Sequence, residues 1–311
     1  MKTPTSVMMP SRPAFLGLAG VVCFGLLGSS ASAQHANFVL FGNPNPRAAE
    51  VPAEQKHVHP LTSPYYNEDS FVTTDIRAWF LHHDFPKSSA IGGGTAQVYA
   101  AQVRLALTDS LQLVAYKDGY IDWDTTALSD AGANDIAAGL KWNFIQDWDH
   151  QFHAAVGVGY ELSTGSSATL NDDGEWRFWA STNKGLDRLH LGANVNVHIA
   201  EDQSDSNGFG NSDTIDWHLH ADYFVCDYFS PVVEINGFHT IDEGSTAPLL
   251  FSGVDVVNLG GGESEDVVTI GLGGEFRFEN NVAVRGAYEM PLTDNDDLFG
   301  YRWTLSLVWS F

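Results

Sequence analysis

Tyr301-Arg302-Trp303-Thr304-Leu305-Ser306-Leu307-Val308-Trp309-Ser310-Phe311 carries a large apolar side chain at every odd position and ends on an aromatic. The even positions hold Arg302, Thr304, Ser306 and Ser310, with Val308 the apolar departure. Successive side chains of a strand point to opposite faces, so this segment has one aromatic-ended apolar face and one polar face carrying Arg302. A strand that meets lipid on one side and a polar interior on the other is written this way. An edge strand of a soluble sandwich would alternate too, so the rest of the chain has to decide.

The other end of the chain speaks to the compartment. Lys2 and Arg12 precede an apolar run from Ala14 to Gly28, and Ala31-Ser32-Ala33 follows with the small residues signal peptidase needs. Residues 1–33 therefore read as a secretory leader, with cleavage expected before Gln34. The run is about fifteen residues, short of the roughly twenty a helical span needs, and no later stretch is apolar for long enough. Cys23 follows Val22 where a lipoprotein signal wants a small residue, so lipid attachment there is not expected. Past the leader Cys226 is the only cysteine, which excludes an internal disulfide.

Composition narrows the classes further. The chain is 44% hydrophobic and 12% aromatic, with a net charge of −24 that becomes −26 once Lys2 and Arg12 leave. Nucleic acid is excluded as a partner, because phosphate contacts need a basic face. On net charge alone a cation or neutral solute would meet less repulsion than an anion, although most of the charge is assigned to solvated loops.

Twelve alternating segments follow, joined in turn by short and long connections. The short ones are Thr108-Asp109, Gln146 to His150, Asn183 to Arg188, Cys226 to Ser230 and Glu279-Asn280. The long ones are Pro86 to Thr95, Asp124 to Gly132, Ser163 to Gly174, Glu201 to Ser212, Thr240 to Ser264 and Pro291 to Leu298. This is the habit of an all-β, up-and-down antiparallel transmembrane barrel of about twelve strands, with short periplasmic turns and longer outer loops. An even count returns both ends of the barrel to the periplasmic side.

Parity then sorts two surfaces. Ile76, Val103, Leu140, Trp142, Val156, Phe178, Val195, Leu219, Leu272 and Val284 typify the lipid face. The opposite parity collects Asp75, Arg77, Gln102, Arg104, Lys141, Glu161, Arg177, His190, His198, Asp216, His218, His220, Asp222, Glu234, Glu275, Arg277, Arg285, Glu289 and Arg302 as lumen-lining residues for transport. Charges of both signs on one enclosed face point to a water-containing lumen, because an unpaired buried ion costs several kcal/mol. Leu111 to Asp122 resists assignment, since Val114 and Tyr116 compete with Leu113 and Ala115.

The leader, the hairpin Gln102-Val103-Arg104-Leu105-Ala106-Leu107-Thr108-Asp109 within Ala96 to Tyr120, Lys117-Asp118-Gly119-Tyr120, Gly139-Leu140-Lys141-Trp142 and the closing strand together resemble outer-membrane barrel transporters of the phenol-degradation channel type. Nucleoside- and fatty-acid-type channels stand near them. The resemblance spans Phe71 to Phe311, carries no catalytic or ligand motif, and implies passage of a small solute across a bacterial outer membrane, aromatic or otherwise organic.

His218 and His220, flanked by Asp216 and Asp222 and neighboured by His190 and His198, have the residue types of a zinc site. They read better as pore-lining groups paired with the arginines opposite, so no metal and no cofactor is expected. The acidic clusters Asn171-Asp172-Asp173-Gly174, Asp202 to Asp213 and Asp294 to Asp297 lack the helix-loop-helix calcium pattern and read as solvated loops. A lipid hydrolase needs Ser and His together on the lipid side, but only His82 faces that way and no serine accompanies it, while Ser204-Asp205-Ser206-Asn207-Gly208 falls in a loop. An outer-rim protease would need Asp122, Asp124 and His239 to converge. No enzymatic activity is expected.

Residues 34–70 do not read as barrel. Pro44, Pro46, Pro52, Pro60 and Pro64 remove ladder donors, and the segment is an N-terminal periplasmic arm or a partial plug, with the loosely ordered arm favoured. Residues 71–311 form the barrel. The expected partners are outer-membrane lipid and lipopolysaccharide, the barrel-assembly machinery through Phe311, and a small-molecule solute. The function expected is an outer-membrane channel or porin. The alternatives are a structural or surface-interaction barrel with a closed lumen, and an outer-membrane hydrolase.

Overall fold

The computed structural model describes residues 46–89, 91–166, 174–201, 211–242, 244, 266–278, 281–293 and 299–311. The leader, residues 34–45 and the acidic clusters at 171–173, 202–210 and 294–297 lie outside the described residues.

A short helix α1 (Pro46–Glu50) is followed by fourteen β-segments. They are β1 (Asp75–Phe85), β2 (Gly94–Ala106), β3 (Leu111–Lys117), β4 (Tyr120–Thr125), β5 (Ser129–Ala133), β6 (Ile136–Asp147) and β7 (Phe152–Leu162). Then come β8 (Glu175–Leu186), β9 (Leu189–Ala200), β10 (Asp213–Tyr223), β11 (Phe229–Asp242), β12 (Val267–Arg277), β13 (Val282–Pro291) and β14 (Tyr301–Ser310). Each pairs antiparallel with its neighbours, and β14 returns to β1 with Trp309 opposite Ile76 and Leu307 opposite Ala78. The β14–β1 pairing closes the ring of spanning strands, and among the described residues only the short β5, paired with β4 alone, keeps a free edge.

The fourteen segments make twelve spanning strands. β3 and β4 both pair with β2 and form one strand interrupted at Asp118-Gly119, while β5 and β6 form the next, interrupted at Asn134-Asp135. Gly119 has φ of +112°, and a Cβ there would run into the Tyr99 carbonyl oxygen. The break reverses parity: Gln112, Val114 and Tyr116 are buried before it, Ile121, Trp123 and Thr125 after it. That is why the sequence alternation around Leu111 to Asp122 has no single phase. The long connection expected from Asp124 to Gly132 is corrected as well, because β4 and β5 extend into it and leave only residues 126–128 as the turn.

The outward face is apolar around the whole ring. Trp142 is 55% exposed, and Ile136, Val195, Leu219, Leu272 and Leu305 are also exposed. Aromatic pairs mark both rims: Trp309 with Phe311 and Phe229 with Phe276 near the chain ends, Tyr288 with Trp303 and Tyr160 with Trp176 near the long connections. Such a belt is costly in water and stable in hydrocarbon, with aromatic rings at the headgroup level. Among the described residues no helix is long and apolar enough to cross a membrane, and the crossing is made by strands.

Candidate functional site

Eighteen of the nineteen residues assigned to the lumen are buried, and Arg277, on the rim near the chain ends, is partly exposed. Arg77, Arg104, Lys141, Arg177 and Arg302 are each at most 1% exposed. A cost of several kcal/mol per unpaired ion would follow if they stood alone in an apolar interior. Their partners are therefore the central observation, and open water is not what they meet.

Residues 57–74 run inside the ring. Pro60 and Pro64 have no N–H to give, and apart from Thr74, whose carbonyl accepts from Phe311 N at 3.0 Å, the segment is held by wall side chains. Its first half offers N–H groups to carboxylates. Val58 N donates to Asp222 Oδ1 at 3.0 Å, Leu61 N to Glu234 Oε1 at 2.9 Å, and Thr62 N to Glu234 Oε2 at 2.6 Å. Its second half offers oxygen to donors. Gln102 Nε2 reaches the Pro64 carbonyl at 2.7 Å, Arg177 Nη1 the Tyr65 carbonyl at 2.8 Å, and Arg177 Nη2 the Tyr66 carbonyl. Ser181 Oγ donates to Glu68 O at 2.6 Å and Lys141 Nζ to Asp69 O at 3.0 Å.

Glu68 closes this set. Arg104 Nη2 meets its Oε2 at 2.7 Å and Lys141 Nζ its Oε1 at 3.1 Å. Burial pushes the Glu68 carboxyl up, but the two cations outweigh it and bring it down to about 2. Asp69, beside Lys141 and hydrogen-bonded to His59, also lies well below the usual carboxylate range against the pull of burial.

Tyr65 and Tyr66 cap the arrangement toward the long connections. They belong to an apolar cluster with Leu81, Phe85, Val98, Ile121, Trp123, Phe238 and Phe299 that fills that end of the ring. Arg177 is stacked between the faces of Tyr116 and Trp179, its Cζ 4.8 Å from each centroid.

The histidines pair locally, which corrects the expectation of arginine partners. His198 Nδ1 meets Glu175 at 2.7 Å and its Nε2 meets Asp216 at 2.7 Å. His218 lies between Asp216 and Asn236, and His220 between Asp222 and Glu234. His190 Nδ1 meets Asp222 at 2.7 Å. The remaining cations are also served: Arg77 by Asp75 at 2.7 Å, Arg302 by Glu289 at 2.7 Å, and Arg277 and Arg285 both by Glu275. Lys117 with Glu161 and His198 with Glu175 bring in Lys117 and Glu175, which sequence parity missed because each sits at a strand terminus.

Glu68 was missed too. Its only signal was an acid pair, Glu68-Asp69, standing just before the first strand of a chain whose inner face is rich in arginine. Asp122 and Asp124 are exposed on β4, whereas His239 is on β11, on the far side of the ring, so the rim-protease residues do not converge. His57, His190 and Asp222 lie within 4.8 Å of one another, but both Asp222 oxygens and both His190 nitrogens already have protein partners.

No family model and no curated protein matches the sequence. Solved structures do match in fold. The chain is similar to an outer membrane channel from Pseudomonas putida F1, with TM-score 0.61 and 14% identity over 82% of this chain and 100% of that one. It is also similar to the NanC porin, with TM-score 0.51 and 10% identity over 76% of this chain and 100% of that one. The closed ring, the lipid-facing belt and this shared fold place the protein in a bacterial outer membrane.

Proposed function

We propose that the protein is an outer-membrane channel for small solutes whose bore is occupied by residues 57–74 as a displaceable plug. The observation that carries this is the polarity of the contact between segment and wall. Arg104, Lys141 and Arg177 turn to the Glu68 carboxylate and to main-chain carbonyls of the segment, and Glu234 turns to its N–H groups. A barrel closed as a strut would be expected to fill its centre with wall side chains reaching across to each other. Here the wall leaves room for a whole strand of polypeptide, and the polar wall groups freed by its departure, Arg104, Lys141, Arg177 and Glu234 among them, are ones that water or a polar solute can satisfy. The lumen residues would then line the route, Phe311 would serve recognition by the assembly machinery, and the belt would meet lipid and lipopolysaccharide.

The apolar cluster around Tyr65 and Trp123 favours a second reading, a structural barrel sealed for good. Planar-bilayer recordings separate the two. The full chain is expected to show small, infrequent openings, and a chain lacking residues 46–72 steady conductance several-fold larger. Silence from both, with the proteins correctly inserted, would support the sealed barrel.

A further inference from the structure

From β2 to β8 the wall addresses the main chain of the inner segment, residue after residue. The carbonyls of Pro64, Tyr65, Tyr66, Glu68, Asp69 and Ser70 all accept from wall side chains: from Gln102, from Arg177 twice, then from Ser181, Lys141 and Asn143. Asn183 Oδ1 accepts from Ser70 N at 2.8 Å. A plug that had only to stay in place could be held by contacts to its own side chains. Donors set out along a run of carbonyls suit a polypeptide, whose acceptors recur with every residue, and not a compact solute.

Several of these wall groups are held in position by the wall itself. Arg177 lies between Tyr116 and Trp179, and its Nε and Nη2 also donate to Asn196 Oδ1, at 3.0 and 2.7 Å. Gln102 Oε1 accepts from Trp79 Nε1 at 2.9 Å, and Ser181 Oγ from Asn194 Nδ2 at 3.0 Å. Support of this kind outlasts the departure of the segment and lowers the ordering cost for the next occupant.

One charge is read as well. Arg104 Nη2 and Lys141 Nζ, from β2 and β6, converge on the Glu68 carboxylate at 2.7 and 3.1 Å. Among the described residues the carboxylates within ion-pair distance of these two cations, Glu68 and Asp69, both belong to the segment. When the segment is out, two buried cations are left without a counter-ion, which is costly until another anion arrives.

We infer that this stretch of wall is a binding site for short acidic peptides, and that residues 64–70 occupy it as a tethered look-alike of the solute. An incoming peptide gives its carbonyls to Arg177, Ser181 and Asn143 and one side-chain carboxylate to Arg104 and Lys141, a charge-assisted pair. It takes these groups from the segment, so binding and unplugging are one exchange. The inference deepens the channel reading and rests on it for purpose, since the peptide would be the solute carried; the recognition stands on the wall contacts alone.

The test is fluorescence anisotropy of a labelled, end-blocked peptide copying residues 65–70, titrated with the refolded full chain in detergent. The tethered segment competes at a high effective concentration, so the wild-type chain should bind weakly. Glu68→Gln, whose own segment no longer neutralises the two cations, should bind about tenfold or more tighter. On the Glu68→Gln protein, a peptide with glutamine in place of its glutamate should bind about tenfold more weakly. A peptide that keeps both acids but has phenylalanine for its tyrosines and alanine for its asparagine and serine should stay within about fivefold, as main-chain recognition implies. The chain's net charge of −24 works against the more acidic peptide, so a preference for it reports the local cations. Adding Arg104→Gln should cut that preference to about threefold or less; if this variant does not fold, the peptide series on the Glu68→Gln protein decides alone. Equal binding by the wild-type chain and Glu68→Gln, no preference for the glutamate peptide, loss of the phenylalanine and alanine peptide, or displacement by glutarate at comparable concentration would each overturn the inference. Peptide binding by a protein that stays silent in bilayers would sink the channel reading and leave this site standing. Conductance in a protein that binds no peptide would do the reverse.

Discussion

The two walls of this lumen solve the same problem with opposite chemistry. From β1 to β8 the inner face carries Arg77, Arg104, Lys117, Lys141 and Arg177, cations that keep their charge under ordinary conditions. From β9 to β11 it carries His190, His198, His218 and His220 interleaved with Asp216, Asp222 and Glu234, and no lysine or arginine at all. The inner segment reads this difference. The N–H groups of Val58, Leu61 and Thr62 face carboxylates of the histidine-rich wall, while the carbonyls of Tyr65, Tyr66 and Asp69 and the Glu68 carboxylate face the cations. An irregular strand with two prolines is thereby specified inside a barrel by matching donor to acceptor along its length, with a ladder-type bond only at its Thr74 end.

Removing the cationic wall is the most severe way to break that match. Arg104→Met with Lys141→Met would leave Glu68 buried and unpaired, at a cost to docking of about 3–5 kcal/mol. Protease cleavage within residues 57–74 should rise by several orders of magnitude, and adding Glu68→Gln should recover much of the loss. An unchanged cleavage rate would mean the segment is held elsewhere. Breaking the acidic wall should be milder. Glu234→Ala strips the acceptor from Leu61 N, Thr62 N and His220, costing roughly 1–3 kcal/mol, visible as faster hydrogen exchange at the Leu61 and Thr62 amides with the strand amides unaffected.

Acid sharpens the comparison. Burial, with His190 next to it and Asp222 opposing, lowers His57 from its ordinary value to about 3. A depressed histidine binds its proton in the undocked state first, so docking is strongest above pH 6.5 and weakens on acidification between 6.5 and about 3. The slope is at most about 1.4 kcal/mol per pH unit. Glu68, held down to about 2, stays ionised through that window and adds a loss only as pH falls from 4.5 toward 2. Cleavage rates measured from pH 7.5 to 5 should rise, and His57→Phe should flatten the rise; docking that tightens in acid would reverse the assignment. The smallest effect is Arg177→Lys, which keeps the charge and gives up the fork across two carbonyls and the Tyr116 and Trp179 faces, for about 1 kcal/mol.

The barrel was legible because lipid and lumen impose a period of two, and the closing strand from Tyr301 to Phe311 obeys it at every position but Val308. The reading lost its phase where that rule is suspended, at the positive φ of Gly119, which no alternation pattern records. Histidine partners were misjudged for a physical reason as well. His218 sits directly opposite Asn236 and His220 opposite Glu234 in the ladder, and a neighbour about 5 Å away across a strand pair prevails over an arginine across the bore. The docking of Glu68 was out of reach, since its partners Arg104 and Lys141 are 36 and 73 residues along the chain on different strands.

Whether the segment leaves the bore to open it can be asked with one covalent lock. A Cβ built on Gly271 would lie 3.4 Å from Thr62 Cβ, close to the spacing a disulfide spans. In a protein carrying Thr62→Cys, Gly271→Cys and Cys226→Ser, single-channel current should vanish when the pair is oxidised and return on reduction. Equal current in the oxidised and reduced states would contradict a plug that moves.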